Sequence, residues 1–350
     1  MKKENFKNRF LAIILLFSAT LSLIGCDDTE EGVNAQKSTI TVLAQSQSNL
    51  SVLVSALVRA GLDDNLNAAA GTFTVFAPTN TAFNTFLTAN GFVTNGNPDI
   101  NTVPIPALEQ LLLNHVLGEI KDDTALPVAG YLKTLGKGSA STSNTLSMFV
   151  QKVTTGTTTS VTLNGASNVS TKNVLASNGI VHIVDAVIGL PSITTHVVAN
   201  PEFDTLQAVV TSTSGSFGDQ TAVKNALTNN TTPLTLFAPI NSAFTQATGP
   251  AANGGFIVVG TTTGAQVSKV LLYHATGFLG GNILSTSLSN SLGNIPMATD
   301  PPQNTTVNIT GGAKIIDQAG NNSFIVVNAV DIQCTNGVIH GITRVLKPVL

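Results

Sequence analysis

Four of the chain's five histidines fall in two matched pairs. Histidine is the side chain best suited to moving protons or holding a metal near neutral pH. His115 follows Leu108, Leu111 and Leu112 at helical spacing, and His274 follows Val267, Val270 and Leu271 in the same way. His182 lies between Val181 and Ile183, and His340 between Ile339 and Gly341. Each could be a base, a metal ligand, or a neutral core imidazole bonded to backbone, because a buried polar group needs a partner. The apolar flanks favour the core reading, most strongly at His182 and His340. Acid–base chemistry would need carboxylates that converge in a cleft, but Asp63-Asp64 and Asp122-Asp123 are each adjacent in sequence and read as loop residues. The run 317–322 lacks the ligand spacing of a calcium loop and reads as a hairpin connection. Cys334, beside an apolar strand, reads as a small buried hydrophobe. No nucleophile elbow, zincin helix, phosphate-binding loop or dinucleotide glycine set is present. These residues point to no catalysis, no metal and no cofactor.

Cys26 carries a different chemistry. Lys2, Lys3, Lys7 and Arg9 precede an apolar run over 10–24, too short for a membrane span of ~20 residues. The run ends Leu23-Ile24-Gly25-Cys26, which resembles the lipobox of bacterial lipoproteins. The resemblance implies a signal peptide over 1–25 and a lipidated Cys26, with small Gly25 giving a peptidase access to the bond. Two or three acyl chains would anchor the protein stably to a membrane. Asp27, Asp28, Glu30 and Glu31 follow, so that 26–36 reads as an acidic, polar tether. An acidic stretch here resembles the export signal of some surface lipoproteins, whereas an Asp directly after the cysteine resembles an inner-membrane retention signal. With Cys26 lipidated, Cys334 has no disulfide partner.

The remainder must fold around large cores. The 350 residues are 43% hydrophobic and only 10% charged, with sixteen Phe and no Trp, which excludes a disordered chain. A formal charge of -3 excludes the basic stripe that nucleic acid requires. Internal repeats set the organisation. FTVFAPTNTAF (73–83) recurs as LTLFAPINSAF (234–244), with seven of eleven positions identical. LLLNHVLG (111–118) recurs as VLLYHATG (270–277), and SNGIVH (177–182) as TNGVIH (335–340). The offsets of 161, 159 and 158 residues describe a duplicated domain, with copies at 37–190 and 191–350. Each copy is expected to open with a helix, over 39–60 and 193–210. A strand from Phe73 ends at Pro78, after which Asn80, and Asn241 in the second copy, are placed as helix N-caps. The later part of each copy is strand-rich, with turns at Asn164-Gly165, Asn178-Gly179 and Asn336-Gly337. Helices early and hairpins late indicate an α+β fold.

The three paired motifs, in order and twice over, resemble the fasciclin domain across nearly the whole chain beyond the tether. The resemblance implies two tandem domains, each a β-wedge of mostly antiparallel strands with a flanking helical layer. It also implies adhesion, matrix binding or ligand binding outside the cell, without catalysis. A Tyr-His pair is implicated in adhesion in animal members. It is present here only as Tyr273-His274, the first copy having Asn114-His115. An Asp-Ile pair linked to integrin binding is matched by Asp331-Ile332, against Asn173-Val174 in the first copy. The binding candidates are therefore Tyr273, His274, Asp331, Ile332 and His115, with the second copy favoured. The expected role is a lipid-anchored envelope protein, at the outer membrane and surface-exposed, whose partners are the membrane through Cys26 and a protein or polysaccharide surface ligand. The alternative is a small-ligand or glycan-binding lipoprotein. Lack of Trp argues against an indole platform for sugars, though Tyr131 and Tyr273 could stack. An enzyme would have to use His115 and His274.

Overall fold

The computed structural model describes residues 37–67, 72–229, 231–245, 263–276, 281–289 and 294–350. Residues 1–36, with the expected leader, Cys26 and tether, lie outside the described residues. Residues Lys37–Leu350 form one compact unit that holds both copies.

The first copy opens with α1 (Ile40–Ser46), α2 (Ser51–Ala60) and α3 (Asp63–Asn67). Strand β1 (Phe73–Pro78) leads into α4 (Asn80–Ala89), a small hairpin of β2 (Val93–Thr94) and β3 (Asn97–Pro98), and α5 (Ile105–Leu113). Then come β4 (Val116–Leu117), β5 (Ala129–Gly138), β6 (Ser141–Thr155), β7 (Thr158–Leu163), β8 (Ser167–Ala176) and β9 (Gly179–Val184). Seven of these strands form one sheet in the order β4-β1-β9-β8-β7-β6-β5. Only β1 and β9 pair in parallel. Strand alternation splits the core between the two faces of the sheet. Val75 and Ala77 join the cluster beneath the helices, while Phe76 joins Leu117, Met148 and Val161 on the other side.

The second copy repeats the plan. Helices α6 (Ile193–Ala199), α7 (Asp204–Val210) and α8 (Thr221–Thr228) precede β10 (Leu234–Pro239), α9 (Asn241–Thr245) and α10 (Gly264–Leu272). Strands β11 (Asn294–Pro296), β12 (Asn304–Asn308), β13 (Lys314–Ile316) and β14 (Asn322–Phe324) form one antiparallel sheet. Strand β10 pairs in parallel with β16 (Gly337–Ile342), which pairs antiparallel with β15 (Ile332–Cys334). The α+β fold expected from the repeats is thus present in both copies.

Two local expectations are corrected. The opening helices are each broken in two. In the second copy Pro201 has no N–H and disfavours helical backbone at the residue before it, so Asn200 turns extended and caps a short 3-10 turn, Pro201–Phe203. The first copy breaks at the same place, with Gln47 extended before the turn Ser48–Leu50. Asn80 is not the N-cap of its own helix. Thr79 is, its side chain accepting from Ala82 N. Asn80 reaches across instead: its Oδ1 accepts the N–H of Val52 at 2.9 Å, and its Nδ2 donates to Ser48 O. Asn241 treats α7 likewise, accepting from Thr205 N at 2.9 Å and donating to Pro201 O. The asparagine after the FAP sequence therefore caps the broken opening helix, which no local pattern reveals.

Candidate functional site: the seam between the copies

The closing hairpin of each copy turns through Ser177-Asn178 or Thr335-Asn336, and its asparagine is structural. Asn178 Oδ1 accepts from Ile40 N, and Nδ2 donates to Leu66 O. Asn336 holds Ile193 N and Leu227 O in the same way. The glycine that follows lies against the parallel strand. A Cβ on Gly179 would sit 2.1 Å from Phe73 O, and one on Gly337 1.9 Å from Leu234 O, so neither position tolerates a side chain.

The histidines are wired into the same scaffold. His115 donates Nδ1–H to Leu111 O at 2.8 Å and accepts the N–H of Ile188 at Nε2. His274 makes the matching pair with Val270 O and Leu346 N. Burial pushes both down to about 4, so they are neutral at physiological pH. His182 and His340 use the other tautomer, Nε2 donating to Lys121 O and Ile283 O. Their Nδ1 atoms accept from Asn173 N and Asp331 N. Burial again lowers both. Each ring stacks on a phenylalanine, Phe76 or Phe237. With both nitrogens of each of the four rings engaged, none has a lone pair aimed at open space. Among the described residues no cluster of His, Cys, Asp or Glu could hold a metal.

The other sequence candidates fall in two places. Tyr273 is fully buried, its hydroxyl donating to Asn304 O at 2.8 Å and accepting from Gln318 N. Desolvation pushes its phenol up to about 12. Asn114, its counterpart, is equally buried and donates to Ile188 O and Gly189 O. Ile332 is core, and burial pushes the neighbouring Cys334 thiol up. Asp331 is different. It takes the left-handed conformation, φ 53, as Asn173 does at φ 59. Its carboxylate accepts from the backbone N–H and the hydroxyl of Ser285, yet its side chain stays 28% exposed.

Asp331 lines a cleft of about 550 Å³ where the two copies meet. Lys133 of the first copy bridges the seam, its Nζ donating to Asp331 O at 2.8 Å and to Ser147 Oγ. Desolvation lowers its ammonium below the usual lysine value. Ser147 Oγ accepts from Gln333 N, and both Ser139 Oγ and Ala140 N donate to Thr335 O. Tyr131 Oη accepts from Asn200 Nδ2, and the Tyr131 ring meets His196 edge-on at 5.3 Å. His196 is wholly buried there, pushed down to about 3 mainly by desolvation. Sequence reasoning passed over His196, Lys133 and the seam role of Tyr131. The one available signal was that Leu43, the position in α1 that matches His196, is apolar. Among the described residues no helix is long and apolar enough to cross a membrane.

The Fasciclin domain family model matches residues 48–191 and again 205–348. Among solved structures, the chain is similar to a FAS1 domain pair from the insect cell adhesion molecule fasciclin I. It shares 18% identity with that pair at a TM-score of 0.53, over 86% of this chain and 97% of the other. At that identity the likeness carries the fold.

Proposed function

Since the chain belongs to the fasciclin family, we propose that it is a lipid-anchored adhesion protein of the bacterial cell envelope, held to the membrane through Cys26. Fasciclin domains are adhesion-type modules of extracellular and surface proteins and not enzymes. The observation that carries the reading is the cleft at the seam, where the partly exposed Asp331 sits beside Lys133, Tyr131 and Asn328. A contact made there draws on both copies at once. It suits a protein or polysaccharide surface that offers hydrogen-bond donors to a carboxylate already fixed in place by Ser285. Tyr273, His274, His115 and Ile332 contribute by holding the framework, because they are buried.

A second reading is small-ligand binding. It is favoured by an apolar cavity of about 380 Å³ within the first copy.

The test is protease shaving of intact cells that express the wild type or Cys26→Ala, with acyl labelling. Labelled, shaved wild type and unlabelled, released variant support surface anchoring. Labelled wild type that resists an active protease places the domains on the periplasmic side and removes the adhesion reading. In cells that pass, Asp331→Asn keeps a residue suited to left-handed backbone and is expected to weaken surface binding at least tenfold.

A further inference from the structure

The two copies are an internal comparison for one another, and they differ in the side chains that line the space between helices and sheet. In the first copy a cavity of about 380 Å³ lies there, between α1 and α2 on one side and β1, β8 and β9 on the other. Equivalent positions follow from equivalent hydrogen bonds: Ile40 N and Ile193 N are held by Asn178 and Asn336. The opening helices and turns then run in step, so Ala44 matches Val197 and Leu50 matches Phe203. Strand register matches Val75 to Leu236 and Val174 to Ile332. At all four positions the second copy carries the larger side chain, and each of these is buried. Other lining positions change the opposite way: Leu57 matches Val210, Val116 matches Ala275, and Ile183 matches Gly341, where Ala329 packs so closely that a Cβ on the glycine would lie 2.6 Å from it. At the rim, Gln47 of the first copy matches Asn200 of the second, which is bonded to the Tyr131 hydroxyl. The second copy thus carries bulkier buried side chains at these four positions, and a ring from the first copy sits at its rim. The first copy has neither these larger side chains nor, among the described residues, such a ring at Gln47.

We infer that this cavity is a binding site for a single unbranched apolar chain without charge, the chemistry of a fatty alcohol or a monoacylglycerol. The inference rests on the small-ligand reading and names its ligand class. Of the residues that line the cavity, none is charged, and only Phe76 is an aromatic hydrocarbon. The lining is otherwise mainly aliphatic, which suits a flexible chain more than a flat ring. His115 is the one polar side chain in the depth, and both of its nitrogens are already bonded. A ligand therefore finds no donor or acceptor inside. Its polar end has to stay at the rim, where Gln47, Asn49 and Thr171 are exposed and uncharged. The volume exceeds twice the ~150 Å³ of an apolar cavity that takes up benzene. A void of this size costs stability in proportion to its volume, and an apolar occupant recovers that loss where water cannot.

The test uses purified residues Lys37–Leu350, the compact unit, so it does not depend on anchoring or adhesion. Binding of 1-decanol is read by thermal shift and by displacement of N-phenyl-1-naphthylamine. The wild type is expected to bind saturably, and decanoate at pH 8 to bind at least tenfold more weakly, because no cation lines the rim. The variant Ala44→Val/Val75→Leu/Val174→Ile places the second copy's residues in the first. It is expected to melt no lower than the wild type without ligand and to lose at least tenfold in decanol affinity. Leu50→Phe alone gives the same reading should the triple variant not fold. Absence of saturable decanol binding by the wild type, or equal binding by a folded filled variant, overturns the inference. Either result leaves the adhesion reading untouched.

Discussion

Ile188 donates its backbone N–H to Nε2 of His115 at 2.8 Å, so one imidazole ties the segment after β9 to the end of α5. Leu346 and His274 form the same tie in the second copy. His115→Ala leaves a buried N–H and a buried carbonyl unpaired and opens a void. It is expected to cost about 2–4 kcal/mol in urea unfolding. His274→Ala should cost as much. A variant that kept its full stability while losing surface binding would instead give the histidine a direct contact.

Stability should fall with pH below neutrality. An imidazole in the unfolded chain takes up its proton near 6.5. The folded chain refuses it until about 4 at His115 and His274, and about 3 at His196. The unfolded state therefore binds more protons from 6.5 down to about 4, and stability drops there by up to about 1.4 kcal/mol per pH unit for each histidine. Above pH 7 the effect is absent. Melting temperatures across this range check the claim, and a flat profile from pH 7 to 4.5 would contradict it.

Asn80→Ala removes the acceptor for Val52 N and the donor to Ser48 O. Loss of a helix cap typically costs about 1 kcal/mol. Hydrogen exchange should accelerate first at the start of α2 and leave α4, capped by Thr79, unaffected. Faster exchange confined to α4 would return Asn80 to the local cap role.

The seam can be opened at one glycine. A Cβ on Gly138 would lie 2.5 Å from Thr335 Cα. Gly138→Ala is expected to push the copies apart, split one calorimetric transition into two, and weaken any binding that needs both copies. A single unchanged transition would mean that the two copies do not stabilise one another.

The duplication, the α+β class and the core role of the histidines were legible because each shows within a dozen residues: a repeated FAP strand, an asparagine-glycine turn, a histidine with aliphatic neighbours. What was hidden depends on residues far apart in sequence. Asn80 looks like a local cap because its real partner, Val52, lies 28 positions earlier. Tyr273 looks available for contact because nothing near it announces that Asn304 and Gln318 enclose its hydroxyl. Lys133 reaches Asp331 across 198 positions, a distance over which periodicity and motif carry no information.

The parallel pairing at the heart of each copy also governs how the chain can fold. Phe73 meets Gly179, and Leu234 meets Gly337, across separations of about a hundred residues, and loop closure of that length makes such pairing slow. The first strand of each copy must wait for the last. While it waits, FTVFAP and LTLFAP present unpaired backbone edges able to pair with the wrong partner, and because the two are near-copies, each is a plausible mate for the other's final strand. Domain exchange between copies is therefore the characteristic misfolding hazard of this chain, and a chaperone that delays strand pairing until each copy is complete would raise its yield.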